Sequence, residues 1–288
     1  MLCSMILHIG FPKTGTTSFQ SEISNSSGNR YLGKRLVTTK GFVNTKKLSA
    51  ITNYVRQSSR IYPPPKGFRG RLENSMSRTY LQALRATGNW DSFIYSDEDI
   101  SLARRKVDGK AQQLAVPTFA APWHHQQEPC PQTTAEALEA VCSRLHVTQI
   151  LLTIRKQWEL IPSLYAERSR QNVEASQNDF ELSVRSILAS HAWLFDFLFW
   201  VEMAENACSS VSVVRLEDPT PFEIGGITVT KTDSLNALKH GSGWRLRRDE
   251  NKSVELPPDI EGDIRSAYAE SNRVLHENLK LKNVFGYF

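Results

Sequence analysis

Met5-Ile-Leu-His-Ile-Gly-Phe-Pro-Lys-Thr-Gly-Thr-Thr-Ser-Phe-Gln20 decides the fold. Met5 to Ile9 is a short apolar run with β-branched residues, which predicts a buried strand. Gly10, Pro12 and Gly15 break the run. Thr16, Thr17 and Ser18 then open a helix with Phe19 and Ile23 on one face. A strand, a glycine-bearing loop and a helix start together make an anion cradle. The loop N–H groups converge, and the helix N-terminus adds partial positive charge. Hydroxyls at Thr14, Thr16, Thr17 and Ser18 supply further donors.

The ATP/GTP phosphate loop reads G-x-x-x-x-G-K-[ST]. Gly10 and Gly15 keep its glycine spacing, but Thr16 stands where the lysine belongs, and the cation sits inside the loop at Lys13. A nucleoside triphosphatase is expected to keep that lysine. An ordinary β-turn-α connection is the plain alternative.

Outward from this loop, the chain alternates strands and helices. Arg30–Lys34 predicts a short strand, 42–58 and Leu72–Arg85 predict helices, and 62–67 is an extended break. Trp90–Ser96 is a second buried strand, ending in Ser96-Asp-Glu-Asp99. Residues 103–133 are polar and rich in proline, as expected of a surface excursion. Glu136–Leu145 predicts a helix, and Val147–Ile154 is the strongest strand, apolar almost throughout as a central parallel strand should be. Trp158–Arg170 predicts a helix, Phe180–Ala207 one or two more, and Ser210–Leu216 a fourth strand. Ile224–Thr230 predicts a hairpin or extra strand, and Pro257–Leu281 a last helix. This alternation predicts one α/β domain over 1–288, a three-layer α/β/α sandwich around a central parallel sheet. Residues 35–90 and 103–133 are read as excursions that shape a second substrate's pocket.

Arg155 closes the strongest strand, where side chains enter the ligand crevice of an open α/β sheet. Its planar fork suits phosphate. Ser163, eight residues on, can reach the same anion from the following helix. Proline at Pro162, with Gln157 early in the segment, leaves the helix start open. Glu98 lies just past the end of a strand expected beside the first, with Asp97 and Asp99 flanking it. One of these carboxylates can take a proton, or Asp97 can cap a helix. His124 and His125 are further base candidates in a proline-rich loop, and His8 reads as a hydrogen-bonded core histidine.

Pro12-Lys-Thr-Gly-Thr-Thr-Ser18 resembles the 5′-phosphosulfate loop of sulfotransferases that use 3′-phosphoadenosine 5′-phosphosulfate (PAPS). Arg155-x7-Ser163 resembles the 3′-phosphate site of that family. The resemblance implies a P-loop NTPase-like fold and a soluble, bacterial-type member. It implies PAPS as co-substrate, held by Pro12, Lys13, Thr14, Gly15, Thr16, Thr17, Ser18, Arg155 and Ser163. In that family a late basic segment folds over the 3′-phosphate, which implies a role for Arg247, Arg248 and Lys252 in Arg245–Ser253. Lys13 and Glu98 are the implied catalytic pair. The acceptor would be a hydroxyl or amine on a small molecule, carbohydrate or lipid, and no metal is called for. Two other classes compete: a P-loop phosphotransferase with Asp97 as metal-binding acid, and a silent nucleotide-binding module.

Composition limits the rest. The 288 residues are 40% hydrophobic and 23% charged, ordinary for a globular protein with a full core. The net charge of +5 suits an anionic ligand, but no basic block of the nucleic-acid kind is present. Four scattered cysteines form no C-x-x-C pair and argue against zinc or a disulfide framework. No apolar run reaches membrane-spanning length, and the N-terminus shows no leader, so a cytoplasmic location is expected.

Overall fold

The protein is described by a computed structural model that covers residues 4–11, 16–27, 31–33, 92–96, 104–107, 110–113, 130–218, 221–229, 239–240 and 243–279. The helices expected at 42–58 and Leu72–Arg85, and the break at 62–67, lie outside these residues.

The first strand, β1 (Ser4–Gly10), leads to helix α1 (Thr16–Ser27). Short β2 (Tyr31–Gly33) follows, and β3 (Ser92–Ser96) comes later in the chain. β4 (Arg104–Val107) and β5 (Lys110–Gln113) pair antiparallel. Helix α2 (Pro131–Leu145) precedes β6 (Val147–Ile154), which leads to α3 (Gln157–Arg168). α4 (Gln177–Ser190), a 3₁₀ turn at Ala192–Phe195 and α5 (Phe197–Ala207) come before β7 (Val211–Arg215). The hairpin β8 (Phe222–Ile224) and β9 (Ile227–Val229) turns through Gly225 and Gly226, both at positive φ, which that two-residue connection requires. β10 (Lys239–His240), β11 (Gly243–Arg245) and β12 (Ser253–Glu255) form a small antiparallel sheet. The long α6 (Pro258–Leu279) is the last described element.

The central sheet has five strands in the order β2-β3-β1-β6-β7, and every pairing in it is parallel. Side chains alternate across it with a period of two, so one strand feeds two cores. Met5, Leu7 and Ile9 face one side with Tyr95, Ile150 and Leu152, beneath residues of α2 to α6 such as Val141, Leu164, Phe180, Trp200 and Ile264. Ile6 faces the other side with Ile94, Leu151 and Val214, beneath Phe19 and Ile23 of α1 and Ile224 and Val229 of the hairpin. Both faces are therefore covered, which is why β1 and the end of β6 are apolar on consecutive residues.

One boundary is corrected, and two expectations gain detail. The polar excursion at 103–133 contains the β4–β5 hairpin. Its strands, Arg-Arg-Lys-Val and Lys-Ala-Gln-Gln, carry no apolar alternation, and the signal for them was Asp108-Gly109 between the two. α2 starts at Pro131 rather than Glu136, because a proline at the first helical position is preset for the helix and lacks only an N–H that would be unbonded there. The expectation of one or two helices over Phe180–Ala207 agrees with the two found, separated by a 3₁₀ turn; Asp196 restarts the second by accepting from the N–H groups of Leu198 and Phe199.

Candidate functional site

The strand order places β1 at the centre, with the chain running first to β3 and β2 on one side, then to β6 and β7 on the other. The helix after β1 packs on one face of the sheet, and the helix after β6 packs on the opposite face. Connections that leave neighbouring strands towards opposite faces open a crevice at the strands' carboxyl ends. Gly10 pairs with Thr153 in that register, so the chain entering residues 12–15 and the chain entering Arg155 leave the sheet side by side.

Arg155 is buried, its side chain 9% exposed, and Nη2 donates to Glu159 Oε2 at 3.4 Å. Glu159 lies in the first turn of α3, and Ser163 lies one further turn along the same helix face. Ser163 is buried, and its Oγ has no hydrogen-bond partner. α3 continues through Pro162, whose missing N–H leaves one helical bond unmade. Two donors of the kind that hold a phosphate, a guanidinium and a hydroxyl, thus belong to one helix start. Acids from the next strand surround it. Glu217 Oε1 accepts from the Lys156 N–H at 3.1 Å, and Arg215 donates to Asp218 at 3.2 Å.

Beneath the start of α1, His8 is fully buried on β1. Its Nδ1 lies 2.6 Å from Ser96 Oγ on β3, and Nε2 has no partner. The ring lies beside Phe19 of α1. Burial in this apolar setting lowers the imidazole from 6.5 to about 4, so the neutral form is the native one. The expectation of a hydrogen-bonded core histidine agrees with this geometry. On the other face, Phe11 meets Phe197 and Trp200 edge-on at ring-centroid distances of 5.4 and 5.0 Å, which fixes the chain where it leaves β1.

Arg155 precedes α3 and Ser163 lies in its second turn. Thr16, Thr17 and Ser18 form the first turn of α1, and only their backbone is described. Pro12, Lys13, Thr14, Gly15, Asp97, Glu98, Asp99, His124 and His125 lie outside the described residues. Ser96, immediately before the acidic turn, ends β3 beside His8. Lys252 is exposed and pairs with Asp249 at 3.6 Å, on the turn between β11 and β12. That turn packs on the far end of α3: Arg247 Nε donates to Glu167, and the Arg248 N–H to Ser169 Oγ. The described contacts of Lys252 therefore lie at the opposite end of α3 from Arg155.

Glu159 and Glu217 are the polar residues that sequence reasoning missed. Glu159 was legible as the acid four residues after Arg155. Glu217 was not, since it reaches Lys156 only through the β6–β7 pairing. Among the described residues, no group of three or more His, Cys, Asp or Glu is placed to hold a metal, and no helix is long and apolar enough to cross a membrane. No protein-family model matches the chain, and no curated protein matches it.

Proposed function

We propose that this protein is a PAPS-dependent sulfotransferase with a P-loop NTPase-like arrangement of its sheet. The observation that carries the reading is the register of β1 against β6. It pairs Gly10, which opens the Gly10–Ser18 motif, with Thr153, two residues before Arg155, and so supports reading the carboxyl ends of β1 and β6 as one crevice. The buried, unpartnered hydroxyl of Ser163 supports it, since such a group lacks an acceptor that a phosphate oxygen would supply.

In this reading the 5′-phosphosulfate lies on Pro12 to Ser18, and Arg155 and Ser163 take the 3′-phosphate. Glu98 accepts the proton of the acceptor hydroxyl or amine as that atom attacks sulfur, a contribution on the order of 10²–10⁴ in rate. The new bond forms from the acceptor to sulfur. The bond from sulfur to the bridging oxygen breaks, and 3′-phosphoadenosine 5′-phosphate (PAP) leaves with that electron pair. Lys13 neutralises the charge that develops on the bridging oxygen. The sulfuryl group carries less charge than a terminal phosphoryl group, so the loop lysine serves without a metal. Lys252 reaches this site only if the β11–β12 turn closes over the nucleotide. The acceptor is a small molecule, carbohydrate or lipid, and a cytoplasmic location goes with a donor made in that compartment.

The test is calorimetric titration with PAP for the wild type and Arg155→Ala, with transfer of labelled sulfate from PAPS as the second readout. Binding by the wild type, lost in the variant, is the expected result. Mg²⁺-dependent ATP or GTP turnover without PAP binding would replace this reading with a phosphotransferase. Tight PAP binding with no transfer to any acceptor would leave a silent nucleotide-binding module.

A further inference from the structure

Arg155 already has an anion beside it. We propose that Glu159 is the resident counter-anion of Arg155, displaced when a phosphate binds, and that it thereby limits how tightly the site holds its nucleotide. The inference rests on reading Arg155 and Ser163 as a phosphate site.

The contact between Arg155 Nη2 and Glu159 Oε2, at 3.4 Å, is longer than the 2.7–2.9 Å of a tight charge-assisted bond. The arginine side chain is 9% exposed and the glutamate side chain 25%, so the acid has access to water and the guanidinium has little. When a dianion arrives, the carboxylate is the partner able to turn away. Ser163 Oγ lies one turn beyond Glu159 on the same face, buried and unpartnered. A phosphate held by both Arg155 and Ser163 must lie along the stripe that Glu159 occupies. Among the described residues, Glu217 accepts from the Lys156 N–H and Asp218 from Arg215, while Glu159 contacts the Arg155 guanidinium. Displacement of Glu159 is therefore linked to anion binding at Arg155. Whether it turns outward or stays as a like charge, it opposes the phosphate and favours release of the spent nucleotide.

A purely structural role predicts something different. An acid in the first turn of a helix favours the macrodipole, so its removal would cost a little stability and leave anion affinity unchanged. The deciding experiment is calorimetric titration of PAP into the wild type, Glu159→Gln, Arg155→Ala and the double variant. Glu159→Gln is expected to bind roughly tenfold more tightly, because no carboxylate then competes with the phosphate for the guanidinium. The double variant should bind no better than Arg155→Ala, because the effect of Glu159 runs through that guanidinium. Glu159→Asp keeps the charge, should bind like the wild type, and is the control for folding. If the wild type binds PAP and Glu159→Gln binds equally or more weakly, the counter-anion role is overturned and the phosphate site stands. If the wild type binds no PAP, the phosphate site itself falls, and this role with it.

Discussion

A hydroxyl buried without a partner costs about 1–3 kcal/mol of desolvation, and Ser163 Oγ is in that position. The residue is thus a burden to folding unless it serves an anion. Ser163→Ala should leave stability unchanged or raise it by up to about 1 kcal/mol in urea denaturation. The same change should weaken PAP binding by roughly ten- to a hundredfold, the worth of one hydrogen bond to a charged group. A serine kept only for packing would leave PAP binding unchanged. His8 illustrates the opposite balance. Its ring is neutral when folded, with burial setting it at about 4 against 6.5 for the free group. The unfolded chain binds a proton near pH 6.5 that the folded chain refuses until about pH 4. The contribution is whole above pH 6.5 and is lost as pH falls towards 4, at about 1.4 kcal/mol per unit. Between pH 7 and pH 5 the wild type should therefore lose about 2 kcal/mol through His8. His8→Gln, followed by chemical denaturation at both pH values, should remove most of that slope.

At the scale of elements, the parallel strands were legible because burial on both faces demands an uninterrupted apolar run. Met5–Ile9 and Val147–Ile154 carry that run, and both agree with the observed strands to within a residue at each end. The β4–β5 hairpin was obscured for the converse reason. Its strands are polar, so only the Asp-Gly pair marked it. The break between α4 and α5 was hidden because Phe180–Ala207 stays hydrophobic across it; Asp196 is its one local sign. Arg155 and Ser163 could be read from spacing along a helix. Glu159 was open to the same reading, four residues after Arg155, whereas Glu217 was not, because it depends on strand pairing. Asp196 provides a test of its own. Its carboxylate caps α5 through the Leu198 and Phe199 N–H groups, and that helix start carries the Phe197 and Trp200 rings that hold Phe11. Asp196→Ala should cost about 1 kcal/mol, within the usual range for a lost N-cap. Urea denaturation followed by tryptophan fluorescence would measure it.

For the whole molecule, the question is whether the crevice selects a doubly phosphorylated adenosine over a nucleoside triphosphate. The chain carries a net charge of +5, so any polyanion is attracted to it at low salt. That attraction is screened within about 10 Å at 0.1 M salt, and it does not distinguish PAP from ATP. In the proposed reading discrimination comes from geometry, with one phosphate at the end of β1 and another at the end of β6. ATP keeps its phosphates in a single run and cannot place one at each strand end while its adenosine spans them. A ligand that binds only the folded chain at about a hundred times its Kd stabilises it by about 2.7 kcal/mol. For a domain of this size that corresponds to a rise in Tm of roughly 5–10 °C. PAP should produce such a rise at moderate salt with or without Mg²⁺, and Arg155→Ala should abolish it. ATP with Mg²⁺ at the same concentration should shift Tm by much less. Equal shifts from the two nucleotides would mean that the crevice recognises charge alone, and an Mg²⁺-dependent shift from ATP only would transfer the β1–β6 crevice to phosphoryl chemistry.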